Sequence, residues 1–193
     1  MYYQVYQNSR RNIDIIRNNG HEIKFEVDAT RLSDYFNKVP DRIQFNFPHW
    51  RGKTNNRRNR KLISDFMASS QSVLSSGGQV HLALMDHQGG MHSKTIQEWK
   101  CSWLPALYAA ENGMLLSHVK PFQPEYNLSS YQFRDRPFHV LGGGKESFMN
   151  IFTKVGDEFE AHHEKVPKDI QMCSHFTLFI TLPCFVYWAI MSC

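Results

Sequence analysis

The sequence is poor in cysteine and has no paired-cysteine motif. Its 193 residues contain four cysteines, Cys101, Cys173, Cys184 and Cys193. None belongs to a CxxC pair or has histidines at the spacing of zinc ligands, so a disulfide framework and a zinc site are both disfavoured. The chain also opens without the basic residue and apolar run of a secretory signal. We therefore predict a reduced, intracellular protein with no metal.

A long hydrophobic run is likewise missing. The longest apolar stretch, residues 176–191, is interrupted by Pro183 and is shorter than the roughly 20 residues that cross a bilayer. We expect this stretch to be a terminal extension unrelated to the domain before it. A core strand or helix is an alternative, and a membrane anchor is a less favoured one.

Acidic residues are absent from the most basic part of the chain. The whole sequence has 22 Lys and Arg against 18 Asp and Glu, a formal net charge of +4. Residues 51–61 contain no acid and six bases: Arg51, Lys53, Arg57, Arg58, Arg60 and Lys61. Together with Trp50 and neighbouring asparagines, this mixture suits a phosphate backbone with one stacking ring. A solvated surface loop has the same composition, so both interpretations stay open here.

The remaining composition is that of a folded domain. Apolar residues make up 41% of the chain and aromatic residues 13%, which excludes wholesale disorder and a collagen-like or coiled-coil rod. A length of 193 residues is enough for one domain but not for two of full size. We place that domain at residues 1–155 and assign residues 156–193, which are charged and then apolar, to a tail.

Helical and strand patterns alternate along the domain. Apolar spacing predicts helices over residues 2–19, from 30 or 33, over 59–74 and over about 102–112, with Pro105 in the first turn of the last. It predicts strands over 23–27, 43–47, 80–84, 114–119 and 138–141, and a polar loop over 86–94. This alternation favours an α/β fold with a mostly parallel sheet and helices on both faces. Ligands of such sheets bind at the carboxyl ends of the strands.

Three groups of polar residues lie at those predicted strand ends. Asp28 either accepts hydrogen bonds from a ribose or amine, or caps the following helix, and capping is the favoured interpretation. In the run Phe45-Asn46-Phe47-Pro48-His49, an amide beside a proline-fixed strand end suits the edge of a planar base, although a strand edge with a turn fits equally well. Residues 86–90 form the third group. No Ser-His-Asp set in a triad context is evident, which disfavours a hydrolase.

Several motifs occur in a recognisable order and spacing. They are Phe25-Glu26-Val27-Asp28-Ala29-Thr30, the run 45–49 followed by Gly52-Lys53, Asn59 with Leu62, and His81-Leu82-Ala83-Leu84. In these motifs the chain resembles the large-subunit (25S) rRNA uridine-N(3) methyltransferase-like domain family. Further motifs resemble the animal branch of that family, which is named for a ferredoxin-fold anticodon-binding domain. They are His87-Gln88-Gly89-Gly90, Glu98-Trp99, Ser102-Trp103, Pro121-Phe122 and Phe138-His139-Val140.

The resemblance implies a Rossmann-like methyltransferase with the strand order 3-2-1-4-5-7-6, S-adenosylmethionine as cofactor and a uridine in large-subunit rRNA as substrate. By the same resemblance, Asp28 and Ala29 lie on the adenosine side, and Asn46, Phe47, Pro48 and His49 lie beside the target uracil. His49 is the candidate acceptor of the imide proton. Trp50 and the basic residues of 51–61 are then RNA contacts. The implied compartment is the cytoplasm or, alternatively, the nucleolus.

The chain also departs from the family pattern. Family members begin with a strand, a GxGxFS-type glycine loop for the cofactor and a second strand, and these are absent from the sequence. We therefore expect a truncated isoform or fragment, with an incomplete sheet in which the strands at 23–27 and 43–47 pair directly. Such a chain is expected to be inactive and not to bind S-adenosylmethionine. The alternative is a non-catalytic RNA-binding or protein-interaction module that uses the basic loop, and an aggregation-prone product is a third possibility.

Overall fold

The computed structural model describes residues 9–51, 53, 55–123, 147–157, 177–181 and 188–191. Its helices are α1 (Ser9–Asn18), a 3-10 helix (Ala29–Asp34), α2 (Asn56–Val73), α3 (Asp86–Gly89), α4 (Ile96–Lys100) and α5 (Pro105–Glu111). Its strands are β1 (Glu22–Phe25), β2 (Arg42–Asn46), β3 (Gln79–Met85), β4 (Met114–Pro121), β5 (Ser147–Lys154), β6 (Thr177–Thr181) and β7 (Trp188–Met191). The predicted elements over 23–27, 43–47, 59–74, 80–84 and 114–119 are confirmed with shifted ends. The predicted strand over 138–141 lies outside the described residues.

Helix α2 follows the end of β2 and carries most of the basic segment, residues 51–61. Asn55 caps its start, because the Asn55 side chain accepts a hydrogen bond from the backbone N–H of Arg58 at 3.0 Å. The apolar stripe of the helix lies in the core and comprises Leu62, Ile63, Phe66 and Met67. The basic residues therefore stand at the amino-terminal end of a helix that is fixed to the core along its length.

Three short helices follow β3. The predicted polar loop over 86–94 begins with α3, α4 lies between that loop and the predicted helix over about 102–112, and α5 lies within that helix. The predicted helix over about 102–112 is confirmed as α5 with a later start, because Leu104 has a left-handed backbone, with φ 55°, and Pro105 occupies the first position of α5. A residue before proline is disfavoured in the helical conformation, so a helix cannot continue through Leu104. The prediction that Pro105 lies in a first turn is confirmed.

The seven strands that the structure describes form one sheet, in the order β1-β7-β6-β2-β3-β5-β4. β6 pairs with β2, and β2 with β3, in parallel, whereas the other neighbouring pairs are antiparallel. The α/β class is confirmed. The expectation of a mostly parallel sheet is wrong, because β5 and β7 run opposite to the other strands.

The expectation that β1 and β2 pair directly is also wrong. β6 and β7 form an antiparallel hairpin between them: Arg42–Asn46 pairs with Thr177–Thr181, and Glu22–Phe25 pairs with Met191–Trp188. This stretch is rich in β-branched and aromatic residues, which favour strands. Its backbone groups satisfy the two edges that β1 and β2 would otherwise expose. Among the described residues, no helix has the length and apolar character needed to cross a membrane.

Two apolar clusters lie on opposite faces of the central strands. Val80, Leu82 and Leu84 of β3 join the larger cluster, together with residues of α2, α5 and the 3-10 helix. Ala83 and Met85 point to the other face and join the smaller one, whose remaining members are Phe47, Phe122, Met149 and Ile151. β3 is therefore packed on both faces, and its carboxyl end gives the residues that follow it a fixed starting position.

Candidate functional site

The chain turns sharply at Phe47, directly after β2. Phe47 has a left-handed backbone with φ 52°, although it is not glycine and it precedes a proline. Such a conformation costs of the order of 1–3 kcal/mol and persists only where the surroundings fix it. Here the Phe47 N–H donates to the Ala83 carbonyl at 2.9 Å, and the buried ring packs edge-on against Phe122 with 4.9 Å between centroids. Phe47 therefore belongs to the core and holds Pro48 and His49 just beyond the strand.

Asn46 is the last residue of β2 and is buried, with 6% of its surface exposed. Its side-chain oxygen accepts a hydrogen bond from the Gln44 amide at 3.0 Å. Residues two apart on a strand share one face, so this contact fixes the Asn46 carboxamide on that face. A fixed amide at a strand end has the donor and acceptor geometry that a planar base edge requires.

Trp103 connects His49 to the surrounding elements. The centroids of the His49 and Trp103 rings are 6.1 Å apart and the rings are tilted by 60°. The buried Trp103 ring donates from Nε1 to the Asn56 side-chain oxygen at 3.2 Å, and the Trp103 backbone N–H donates to the Gln88 carbonyl at 2.8 Å. The residues after β2, the start of α2 and the segment after β3 therefore meet at Trp103.

An open cleft of about 490 Å³ lies against this ring. Its lining residues come from α2, from α3 and the segment after it, and from the end of α4: Asn56, Asp86, His87, Gln88, Gly90, His92, Ser93, Glu98, Cys101 and Trp103. This volume is within the usual range of small-molecule sites, roughly 300–1,000 Å³. The residues at the carboxyl end of β3, which the sequence singled out as 86–90, form one wall.

In one wall of the cleft, the chain after α3 turns back so that His92 contacts the carboxylate of Asp86. Asp86 Oδ1 accepts a hydrogen bond from the backbone N–H of His92 at 3.1 Å, and Asp86 Oδ2 lies 3.3 Å from His92 Nδ1. The His92 ring packs edge-on against Phe148 with 5.2 Å between centroids. Gly90 turns the chain between them with φ 73°, and a Cβ there would lie 2.8 Å from Ser102 Oγ. Only glycine fits this close approach without displacement.

The side chains of the basic segment differ in their exposure and in their contacts. Arg51, Lys53 and Arg57 are exposed at the surface, and the Arg58 guanidinium lies over the half-exposed Trp50 ring at 5.5 Å from its centroid. Lys61 forms an exposed ion pair with Asp65 at 2.8 Å.

Arg60 is engaged differently from the rest of the segment. Its Nε and Nη2 groups donate to the carbonyl of Ser102 at 3.0 and 2.6 Å, and Nη2 also donates to the carbonyl of Lys100 at 2.5 Å. Asn56 Nδ2 donates to the carbonyl of Cys101, the residue between Lys100 and Ser102, at 2.9 Å. The first turns of α2 therefore fix the backbone of residues 100–102, which forms a wall of the cleft.

Asn59, in the first turns of α2, is hydrogen-bonded to the residues that precede the basic segment. It is fully buried, and its side-chain oxygen accepts a hydrogen bond from the Trp50 backbone N–H at 2.6 Å. Its Nδ2 group has no hydrogen-bond partner among the described residues. The contact ties the residues that follow His49 to the first turns of α2.

Asp28 and Ala29 lie apart from this site. Asp28 Oδ1 accepts hydrogen bonds from the backbone N–H of Thr30 at 2.9 Å and from its hydroxyl at 2.7 Å, which confirms that Asp28 caps the 3-10 helix. Ala29 is fully buried in the larger cluster. β7 and β6 stand between β1 and β2, which places these residues about three strand spacings, or roughly 14 Å, from β2. A role of Asp28 and Ala29 in cofactor binding stays a prediction.

The described residues do not fit the methyl donor that the resemblance implies. The places between β1 and β2 are taken by β6 and β7. β6 runs parallel to β2, and the sequence that follows it, residues 182–187, contains no glycine that would let a backbone approach a ligand. In the described part of the chain, no three His, Cys, Asp or Glu side chains are grouped to hold a metal ion.

Sequence analysis missed several residues of the cleft. Trp103 and Glu98 appeared only in motifs of the resemblance, and Asn56 only as an asparagine of the basic segment. No local sequence pattern identifies these residues, because residues 98–103 meet the start of α2 only after the chain has folded.

Comparison with known proteins supports one family. The family model described as "BMT5-like: rRNA (uridine-N3-)-methyltransferase BTM5-like" matches residues 1–135. The mouse Ferredoxin-fold anticodon-binding domain-containing protein 1 homolog is 40% identical, and its human counterpart is 36% identical; each alignment covers 74% of this chain and 24% of the relative. The chain thus spans about a quarter of the length of these relatives.

A crystal structure of TrmN from Thermus thermophilus is similar with a TM-score of 0.38 and 20% identity, over 67% of this chain and 27% of that one. The match of the family model covers well over half of the 193 residues, and it agrees with both curated relatives. The resemblance noted in the sequence is therefore confirmed: the chain belongs to the BMT5-like rRNA (uridine-N3-)-methyltransferase family.

Proposed function

We propose that this chain binds RNA, with one uridine of large-subunit rRNA beside the end of β2 and the adjoining phosphates along the basic segment. The observation that carries the proposal is the position of Asn56. This residue lies within the basic segment, lines the cleft and holds the indole that adjoins His49. A base beside Trp103 and a phosphate on the segment would therefore be neighbours on one surface. Membership of an rRNA methyltransferase family supports uridine as the base.

The proposed contacts with phosphates rest on the exposed basic side chains. Arg51, Lys53 and Arg57 are exposed, and Arg58 is stacked on Trp50, where a base can also stack. Four phosphate contacts at about 0.7 to 0.9 released counterions each give a slope of log affinity against log salt near −3. Arg60 is not counted here, because two of its donor groups already bind backbone carbonyls.

The base side rests on Asn46, His49 and Trp103. Uracil presents a carbonyl, an imide N–H and a second carbonyl along one edge, and the fixed carboxamide of Asn46 has a matching acceptor and donor. The imide nitrogen must lose its proton when it is alkylated in the reaction of the family, and His49 is our candidate for the group that accepts this proton. Stacking on an aromatic side chain contributes about 1–3 kcal/mol per base.

The sheet order also supports the proposal. With β7 and β6 in the second and third places, the order β1-β7-β6-β2-β3-β5-β4 corresponds place by place to 3-2-1-4-5-7-6. β5, in the place of the seventh strand, runs antiparallel to both neighbours, and so does β7, in the place of the second strand, which is a departure from a parallel strand there. On this proposal the sheet is an incomplete Rossmann-like one that keeps its substrate side. The chain then acts by binding RNA without turnover, in the cytoplasm or the nucleolus.

Fluorescence anisotropy with labelled single-stranded RNA tests the proposal. We expect oligouridylate to bind more tightly than oligocytidylate, because cytosine has no imide N–H. We expect the affinity to fall with KCl along the slope given above. Arg57→Ala should reduce the steepness of that slope, whereas Arg17→Ala, an exposed arginine in α1, should leave it unchanged. A slope near zero, or equal effects of the two substitutions, would contradict RNA binding through the basic segment.

A further inference from the structure

We propose that the C-terminal hairpin, β6 and β7, is a built-in strand complement that joins β1 to the rest of the sheet and closes the place where S-adenosylmethionine would bind. The interaction surface is the pair of edges formed by β1 and β2, and its occupant is a segment of the same chain. The consequence for the cofactor rests on the proposed function. The placement of the hairpin does not.

The register of the strands carries the first part. β6 follows β2 in parallel along its whole length, from Arg42 opposite Thr177 to Asn46 opposite Thr181. β7 covers β1 in the same way, from Phe25 opposite Trp188 to Glu22 opposite Met191. Without the hairpin, the edge of β2 would present unpaired N–H and C=O groups beside the fully buried Ile43 and Phe45.

Besides the hairpin, the segment after β1 joins the rest of the described fold by apolar packing, since Val27, Ala29 and Leu32 belong to the larger cluster. The 3-10 helix that follows β1 is held to α2 where the Leu32 N–H donates to Ser69 Oγ at 2.8 Å. Lys24 Nζ donates to the carbonyl of Tyr35 at 2.6 Å, which ties β1 only to its own neighbourhood. The hairpin is therefore the element that connects β1 to β2 by strand pairing.

The same placement argues against the cofactor. In open α/β sheets, ligands bind beyond the carboxyl ends of strands, where a glycine-bearing turn lets the backbone approach them. β6 is the parallel neighbour of β2, and the residues after its carboxyl end run Leu182, Pro183, Cys184, Phe185, Val186, Tyr187. The carboxylate of Asp28, three residues after β1, caps the 3-10 helix with one of its oxygens. The hairpin thus supplies strand pairing, and the sequence that follows β6 has no glycine of the kind found in such turns.

Cysteine crosslinking in the full chain tests the placement. Registered partners have Cα atoms about 4.5–5.5 Å apart on antiparallel strands, and adjacent parallel strands lie about 4.7–4.9 Å apart, so both kinds of pair are within the range of a disulfide. In a chain whose four native cysteines are replaced by serine, Gln44→Cys with Phe179→Cys, and Lys24→Cys with Ala189→Cys, should crosslink within one chain under mild oxidation. The matched controls pair the same strands one residue out of register, where side chains lie on opposite faces, and should stay reduced: Gln44→Cys with Ile180→Cys, and Lys24→Cys with Ile190→Cys.

The outcomes separate the claims. Crosslinks in both registered pairs and in neither control support the hairpin, and peptide mass spectrometry identifies the bond. Equal crosslinking of pairs and controls, no crosslinking, or crosslinks only between chains would overturn it. Calorimetry of the full chain with S-adenosylmethionine should show no binding heat at ligand concentrations that saturate methyltransferases. Binding in this experiment would overturn only the claim that the hairpin closes the cofactor site. If the unchanged protein does not bind RNA in the anisotropy experiment, the proposed function is refuted, but the placement of the hairpin is unaffected.

Discussion

Arg57 and Arg60 lie three residues apart at the start of α2, and the structure gives them different tasks. Arg57 is exposed, whereas Arg60 donates hydrogen bonds to the carbonyls of Lys100 and Ser102. Replacement of either by alanine removes one positive charge from the same turn of the same helix. We predict that the two substitutions affect different properties: Arg60→Ala lowers stability, and Arg57→Ala lowers the salt dependence of RNA binding.

The magnitudes follow from the contacts. A hydrogen bond to a charged group contributes about 1.5–3 kcal/mol, and we discount this for the partial exposure of Arg60 to a total of about 2 kcal/mol. At about 2–4 °C per kcal/mol for a chain of this size, Arg60→Ala should lower the melting temperature by roughly 4–8 °C. Arg57→Ala should change stability by less than about 0.5 kcal/mol. It should make the salt slope shallower by about 0.7 to 0.9.

Thermal unfolding by circular dichroism and RNA anisotropy over a KCl series measure both properties on the same samples. Arg60→Lys is the useful third variant, because it keeps the charge but loses the planar fork that reaches two carbonyls. Its melting temperature should fall between those of Arg60→Ala and the unchanged protein, with an unchanged salt slope. The reasoning is refuted if Arg60→Ala melts with the unchanged protein, or if it flattens the salt slope as much as Arg57→Ala does.

Three further predictions concern stability and the loop after β2. Gly90→Ala should cost about 2–4 kcal/mol in chemical denaturation because its Cβ meets a serine hydroxyl at 2.8 Å, while Gly77→Ala, with a similar φ but open space, should cost about 1 kcal/mol. Burial, and then the charges of Arg42 and Lys120, lower the pKa of His81 to about 3 in the folded protein. The contribution of neutral His81 to the free energy of unfolding should therefore be fully present above its unfolded pKa of about 6.5 and should fall by about 1.4 kcal/mol per pH unit below it. His81→Gln should lose less stability between pH 7.5 and 5, and parallel losses in the two proteins would refute this assignment. Asn59→Leu should speed hydrogen exchange of the Trp50 amide about tenfold, and unchanged exchange would show that the bond between them is unimportant.

Local patterns predict much of the fold because most of these elements are specified by nearby residues. The alternation of Ile43 and Phe45 places β2, although Phe47, which continues that pattern in the sequence, lies beyond the strand in the other cluster. The stripe of α2 with its Asn55 cap places the helix after β2. The same reasoning puts residues 46–49 and 86–90 at neighbouring strand ends, which the parallel pairing of β2 and β3 confirms. The capping role of Asp28, which local preference favoured, is confirmed as well.

Long-range contacts account for what the sequence does not predict. Apolar periodicity over 176–191 allows a strand, a helix or an extension, and nothing local indicates that β6 pairs with β2. The task of Arg60 depends on the path of residues 100–102, which lie about forty residues away and turn at Leu104. Composition alone groups Arg60 with the other bases, because it records charge and not the carbonyls that a guanidinium meets.

The position of the hairpin has a consequence for the order in which the protein forms. The second and third places of the sheet are filled by β7 and β6, whereas β1 and β2 on either side of them are made much earlier. During synthesis at about 5–20 residues per second, β1 and β2 wait for several seconds with open edges before their partners emerge. Pairings that span most of the chain also close slowly, because loop entropy is lost before contacts form. A nascent chain of this sequence therefore depends on protection of those edges until translation has passed residue 191.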